Sequence, residues 1–214
     1  MAEHARTADH ERGPRTDRSP RQRLDAETRR AEILTAATDL FAGAAYADVA
    51  VADIAAAAGS SEALVFRYFS TKAGLYTEVV RASLADLARQ QRAADDTLPP
   101  TTSARDRVTA ALQIQLGHVA DGAVATRGFL ESGTEPAQTL AVRREARAAT
   151  IETLRRILLP TPWDRHEFAL WGFLGFLDGA CARWVAGGCR EEERWPLIEA
   201  ALGALEGALG DWGR

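Results

Sequence analysis

Residues 49–80, VAVADIAAAAGSSEALVFRYFSTKAGLYTEVV, constrain the fold more than any other stretch of the chain. A run of helix formers, Val51–Ala58, stops at Gly59, a residue that tolerates the left-handed backbone of a tight turn. Ser61 then offers a cap for a second short helix, Glu62 to Tyr68, after which Phe69 returns to the core and Thr71 caps a third helix. Ile54 and Ala58 face inward, and the alanines at 55–58 let the next helix approach closely. Lys72, the only lysine among 26 basic side chains, falls at the start of that third helix. A helix start presents free backbone N–H groups and a positive dipole end, which suit a phosphate. A compact helix-turn-helix beside such a corner is a unit for lying on DNA.

The remaining sequence predicts helices as well, because Ala and Leu dominate and β-branched residues are sparse. A helix starting at Asp25 carries Ile33, Leu34, Ala37, Leu40 and Phe41 in one apolar stripe and ends at Gly43. The helix opened by Thr71 is long, with Leu75, Tyr76, Val79, Val80, Leu84 and Leu87 at helical spacing. Asp95 to Ser103 reads as a loop with a double proline, and five further helical stretches follow. Val108, Leu112 and Leu116 mark one, and a short one lies near Val124–Leu130. The next runs from Pro136 to Leu159 and is ended by Pro160 and Pro162. Asp164-x-x-Glu167, a capping-box pattern, opens an apolar helix that reaches Gly187–Gly188. The last has Pro196 at its start and a stripe of Leu197, Ile198, Ala201, Leu202, Leu205 and Leu209. The expected fold is therefore all-α, with about nine helices. It divides into a three-helix unit containing the helix-turn-helix (25–80) and a second helical domain (81–214). Residues 1–24 read as a disordered arm whose Arg15, Arg18, Arg21 and Arg23 suit a minor groove.

Charge and composition exclude several classes. The net charge is −4, and residues 25–80 hold four basic against eight acidic groups, so phosphate neutralisation must rest on a few well-placed cations. Cys181 and Cys189, eight residues apart on one expected helix, would be about 12 Å apart, too far to bridge. They form no disulfide framework, as expected of a protein in a reducing cytoplasm. The most apolar run, Phe168 to Leu177, is too short to span a bilayer, and the N-terminus carries no signal-peptide core. The expected location is thus the cytoplasm, on the nucleoid when bound to DNA. His4, His10, His118 and His166 lack metal-ligand spacing, and no phosphate-cradling Gly loop or nucleophile elbow is present. No metal, cofactor or catalytic residue is expected. An enzyme assembled from distant residues on a helical frame is an alternative class that no residue nominates.

Leu40-Phe41, then Asp53-Ile54-Ala55 with Ala58-Gly59, then Tyr68-Phe69-x-x-Lys72-x-x-Leu75 together resemble the tetracycline-repressor (TetR) family of bacterial transcriptional regulators. The resemblance spans about residues 28–80. It implies that the helix from Glu62 is the recognition helix, with Ser61, Glu62, Ala63 and Leu64 at the major groove. There Glu62 would accept from a cytosine amino group and Leu64 pack on a thymine methyl. Tyr68 matches a phosphate contact, Thr71 and Lys72 match the phosphate clamp, and Arg67 points outward beside them. Phe66 stands where the family commonly has Tyr. The family also implies a homodimer through the last two helices, a palindromic double-stranded operator, and release by a small apolar effector bound in 81–214. Val49, Ala50 and Ala52 depart from the family pattern, which places a hydroxyl cap and a basic residue there. That departure admits a second alternative, a protein-interaction module that kept the fold and lost its operator.

For the effector, Trp163, Phe168, Trp171, Phe173, Phe176 and Trp184 crowd one segment and can line an apolar cavity, fill the core or form a dimer seam. Gly172, Gly175 and Gly179, with Gly203, Ala204 and Gly207, would allow close helix approach. The candidate effector contacts are Gln115, His118, Arg127, Phe129, Phe168, Trp171 and Asp178, with Gln113 and Glu131 as further polar groups.

Overall fold

The structure, a computed structural model, describes residues 20–129, 135–159 and 164–210, with side chains described for 25–126, 135–159 and 164–210. Among the described residues there are eight α-helices, one 3₁₀ helix and no strand. The helices are α1 (Pro20–Gly43), α2 (Val51–Ala57), α3 (Glu62–Phe69), α4 (Lys72–Thr97), α5 (Ala104–Ala120), α6 (Ala137–Leu158), α7 (Asp164–Ala186) and α8 (Glu191–Leu209). The 3₁₀ helix, Val124–Phe129, lies between α5 and α6. The all-helical expectation therefore holds.

Local chemistry accounts for most boundaries. α2 closes in a Schellman motif: Ser60 N–H donates to Ala55 O at 2.8 Å and Gly59 N–H to Ala56 O at 3.1 Å, with Gly59 at φ +56°. The Ser61 hydroxyl caps α3 by accepting from Leu64 N–H at 3.3 Å, and the Thr71 hydroxyl caps α4 by accepting from Gly74 N–H at 2.9 Å. α2 has no such cap. Ala50 holds the extended backbone of an N-cap, φ −88° and ψ 148°, but no side chain closes the turn. Ala50→Ser is expected to add about 1 kcal/mol of stability, read as a higher urea midpoint at unchanged m.

Several boundaries differ from expectation. α1 starts at Pro20, so residues 20–24 of the expected arm are helical; residues 1–19 lie outside the described residues, as do the side chains of Arg21 and Arg23. α4 runs on to Thr97, and Arg107 bonds back to its last turn at Asp95 and to Pro99 O. Asp164 is the first helical residue of α7 rather than its cap, and Glu167 pairs across to Arg155 of α6 instead of closing a capping box. Pro196 is not at the start of α8 but at its sixth residue, on an exposed side, where it withholds a donor from the Glu192 carbonyl. α7 ends at Ala186, so the two cysteines do not share a helix. Cys189 sits in the following turn at φ +51°, its N–H bonded to Trp184 O at 3.0 Å. Both thiols are free, and burial, helped by the nearby Asp178 charge, pushes the Cys181 thiol up to about 12.

Two apolar cores form. The first joins Ile33, Ala37 and Phe41 of α1, Ile54 and Ala55 of α2, Val65 and Phe69 of α3, and Leu75, Tyr76, Val79 and Val80 of α4. Val124 and Val142 complete it, so segments beyond residue 80 help to build the core under the helix-turn-helix. The second core fills the space between α5, α6, α7 and α8. α4 spans the join, packing against α1 and α3 at one end and α5 and α6 further along. No helix among the described residues is long and apolar enough to cross a membrane.

Candidate nucleic-acid interface

The α3 helix divides its side chains cleanly. Val65 and Phe69 are buried and anchor it, while Ser61, Glu62, Ala63, Phe66 and Arg67 are exposed. Leu64 and Tyr68 are half-buried at the edges of that outward face, with Tyr68 packed on the first core. Phe66 is 43% exposed, so its ring is open to a partner on the outward face.

The corner between α3 and α4 is tightly drawn. Thr71 N–H donates to Phe69 O at 2.7 Å, two residues back, which makes a γ-turn centred on Ser70. Ser70 sits at φ 62°, ψ −44°, a sparsely populated backbone for a residue with a Cβ. This turn sets Thr71 and Lys72 at the start of α4, next to the exposed face of α3. The Lys72 ammonium lies 4.5 Å from the centroid of the Tyr46 ring and bonds Ala47 O at 3.4 Å. On the other side, the Arg30 guanidinium lies 4.8 Å from the centroid of the Phe69 ring while bonding Glu78 at 2.8 Å. The corner therefore presents a helix N-terminus, a hydroxyl and a positioned cation together, which is the arrangement a phosphate oxygen needs.

The expected effector residues are more scattered. Gln115 and His118 are half-buried on α5. Asp178 is half-buried and bonds Arg147 of α6 at 2.7 Å; burial raises its pKa, offset in part by that arginine. Phe168 and Trp171 do not enter the core between α5 and α8: they face outward from α7, 79% and 45% exposed. Phe173 and Trp184 are buried in that core, and the Trp184 indole N–H bonds Arg190 O at 2.9 Å. The side chains of Arg127 and Phe129, and residues Glu131 and Trp163, lie outside the described residues. A cleft of about 360 Å³ is lined by Gln113 of α5 and by Glu191, Arg194, Trp195 and Ile198 of α8. Among the described residues no group of His, Cys, Asp and Glu could hold a metal ion.

Sequence reading missed a buried polar cluster where α4, the 3₁₀ helix and α6 meet. The Glu135 carboxylate accepts from Tyr76 Oη at 2.5 Å and, in a fork, from Arg143 Nε at 2.8 Å and Nη2 at 2.7 Å. Arg143 also donates to Ala125 O at 2.7 Å and Val124 O at 3.1 Å. Burial opposes the Glu135 charge, but the hydrogen bonds from Arg143 and Tyr76 hold its carboxyl below the usual range. Nearby, Thr77 and Thr139 share a hydroxyl hydrogen bond of 2.8 Å.

Comparison with known proteins meets this geometry at the helix-turn-helix. The family model for bacterial regulatory proteins of the tetR family matches residues 33–79, which run from α1 through the helix-turn-helix into α4. Residues 33–79 are thus a helix-turn-helix region of the TetR type. It is 29% identical over 154 residues to the helix-turn-helix transcriptional activator FasR of Mycolicibacterium smegmatis, covering 70% of this chain and 69% of that protein. In fold it is similar to a TetR-family transcriptional regulator from Streptomyces coelicolor, at TM-score 0.69 and 22% identity over 85% of this chain and 79% of the other. It is also similar to the fatty acid degradation regulator FadR from Bacillus halodurans, at TM-score 0.64 and 18% identity over 81% and 97%. The all-α fold and this helix-turn-helix are those of a TetR-type DNA-binding transcriptional regulator.

Proposed function

We propose that this regulator binds a palindromic operator as a two-fold dimer, represses the gene beside it, and is released by a small apolar effector. The observation that carries the reading is the α3–α4 corner: an outward face of Ser61, Glu62, Ala63, Leu64, Phe66 and Arg67 next to Tyr68, Thr71 and Lys72. In this reading Glu62 and Leu64 read base edges, Phe66 packs on thymine methyls, and Tyr68, Thr71 and Lys72 hold phosphates. Residues 25–80 are the DNA-binding domain, 81–214 the effector and dimerisation domain, and the Arg-bearing arm (1–24) adds minor-groove contacts. Gln115, His118, Arg127, Phe129 and Asp178 are the effector-facing candidates, and the working location is the cytoplasm. Absent catalytic groupings in the sequence favour a regulator over an enzyme.

The dimer half of the reading rests on α7 and α8. Phe168, Trp171 and Phe176 (37% exposed) line one face of α7 with Gly172, Gly175 and Gly179, where an added Cβ would meet open space. Gly203 and Gly207 leave equally open ground on α8. An exposed aromatic stripe interleaved with glycines suits close packing against a second copy. Two recognition helices would then sit about 34 Å apart, one turn of DNA. Gly175→Glu on this face should give a monomer in sedimentation and weaken operator binding by about 100-fold or more, because the second half-site then binds independently.

Footprinting the promoter beside its own gene, followed by affinity measurements against salt, tests the DNA half. Lys72→Ala is expected to flatten the slope of log K against log salt by about one unit on every sequence, whereas Glu62→Ala should change which bases are preferred. Genomic fragments that enrich for nothing would favour the protein-interaction module instead. A second reading, activation, is favoured by the identity to an activator, FasR. Protection upstream of the polymerase site, with reporter output falling when the gene is deleted, selects it over repression.

A further inference from the structure

The buried cluster around Glu135 ties three elements at one point. Glu135 stands just before α6, Tyr76 lies on the second turn of α4, and Arg143 reaches from α6 to two carbonyls of the 3₁₀ helix. The 3₁₀ helix is fixed to α4 a second time, by Ala125 N–H donating to the Ser83 hydroxyl at 3.0 Å. On its other side the Tyr76 ring meets the ring of Phe41 edge-on at 4.8 Å and the ring of Tyr46 at 4.9 Å. Tyr46 in turn carries the Lys72 ammonium 4.5 Å from its ring centroid. A continuous path of direct contacts thus runs from Arg143 and Glu135 through the Tyr76 and Tyr46 rings to Lys72.

We infer that Glu135 and Tyr76 are positioning residues for Lys72, and that the Glu135–Arg143 fork is the latch through which movement of α6 or the 3₁₀ helix reaches the DNA-facing corner. The inference rests on the reading of Lys72 as a phosphate contact. Its physical basis is that a buried, fully hydrogen-bonded ion pair has discrete arrangements rather than a soft continuum. While the fork is closed, the Tyr76 hydroxyl is held by the carboxylate, and the ring is held against Tyr46 at a fixed height. If α6 shifts, the carboxylate must leave Arg143 or leave Tyr76, and the ring that supports Tyr46 loses its anchor. The Arg147–Asp178 pair, four residues further along α6, joins that helix to α7 instead.

Tyr76→Phe in the full-length protein removes only the hydroxyl and leaves the ring stack and the Glu135–Arg143 pair in place. Amide exchange across residues 44–49 and 66–75, measured without DNA, is expected to quicken about tenfold, the equivalent of one hydrogen bond to a charged group. Arg147→Gln, the matched loss of an ion pair on the same helix, should leave those amides unchanged. On the footprinted promoter fragment, Tyr76→Phe should weaken binding and flatten the salt slope, and the double variant with Lys72→Ala should bind no worse than Lys72→Ala alone. Unchanged exchange in Tyr76→Phe, an equal change in Arg147→Gln, or losses that multiply in the double variant would each overturn the latch. A wild-type protein that retards no DNA would instead remove the operator reading, and the exchange arm would still decide whether Glu135 and Tyr76 position the corner.

Discussion

Arg143→Met is expected to lower the unfolding free energy by about 3–5 kcal/mol, a large part of what a domain of ordinary stability possesses. Methionine matches the arginine stem in length and reach, so the loss is electrostatic more than steric. The variant leaves the Glu135 carboxylate, almost wholly buried, with the Tyr76 hydroxyl as its one side-chain partner among the described residues, and strips donors from the Val124 and Ala125 carbonyls. Urea unfolding measures the loss directly. The pH dependence carries a signature. In the parent the folded-state pKa of Glu135 is depressed, so its contribution is present above the unfolded carboxylate value and fades as pH falls through the folded one. In the variant, burial acts unopposed by arginine and raises that pKa, so acidification should recover stability by neutralising the stranded charge. The difference between the two proteins should therefore shrink as pH falls through the carboxylate range; a gap independent of pH would mean the loss is one of packing.

Gly74→Ala is the second large effect, and its direction runs against helix propensity. Alanine in a helix interior ordinarily gains up to about 1 kcal/mol over glycine. At this position a Cβ would lie 2.5 Å from Phe69 O and 3.2 Å from Thr71 Oγ1. The Phe69 carbonyl has no freedom to retreat, because it accepts from Thr71 N–H in the γ-turn and belongs to a residue buried in the first core. The added methyl must therefore open the corner, at a net cost of about 1–3 kcal/mol. Operator affinity should fall further than stability does, since the displaced groups are Thr71 and Lys72. An urea midpoint at or above the parent value would show that the corner is softer than its geometry implies.

The parts of the fold legible in the sequence were those written in local chemistry. Ser61 and Thr71 announced α3 and α4 because a capping hydroxyl acts within three residues, and Gly59 announced the turn because few other residues accept its backbone. Phe69 was readable as the residue that returns to the core, whereas the inward turn of Val65 and the outward turn of Phe66 emerge only from the packed helix. What escaped was decided by tertiary contacts. Glu135 and Arg143 look like ordinary surface charges in sequence. Their partner Tyr76 is 59 residues from Glu135, and only the spacing of eight between the two charges, with buried Val142 alongside, hinted at a shared inward face. Aromatic density in 163–188 did not by itself distinguish core from surface. Phe173 and Trp184 went inside while Phe168 and Trp171 stayed out, because helical phase assigns them to opposite faces of α7. Pro196 was misplaced because proline is compatible with a first turn but does not require one.

The division of labour within α3 has an evolutionary corollary. Glu62, Ala63, Phe66 and Arg67 are exposed on the outward face, whereas Val65 and Phe69 are buried and attach the helix to the body. Under the operator reading proposed above, lineages descending from this chain can exchange the former four with little penalty to folding, and drift towards new target sequences while inheriting the same scaffold. Paralogues that diverge in regulon should differ first at those four positions.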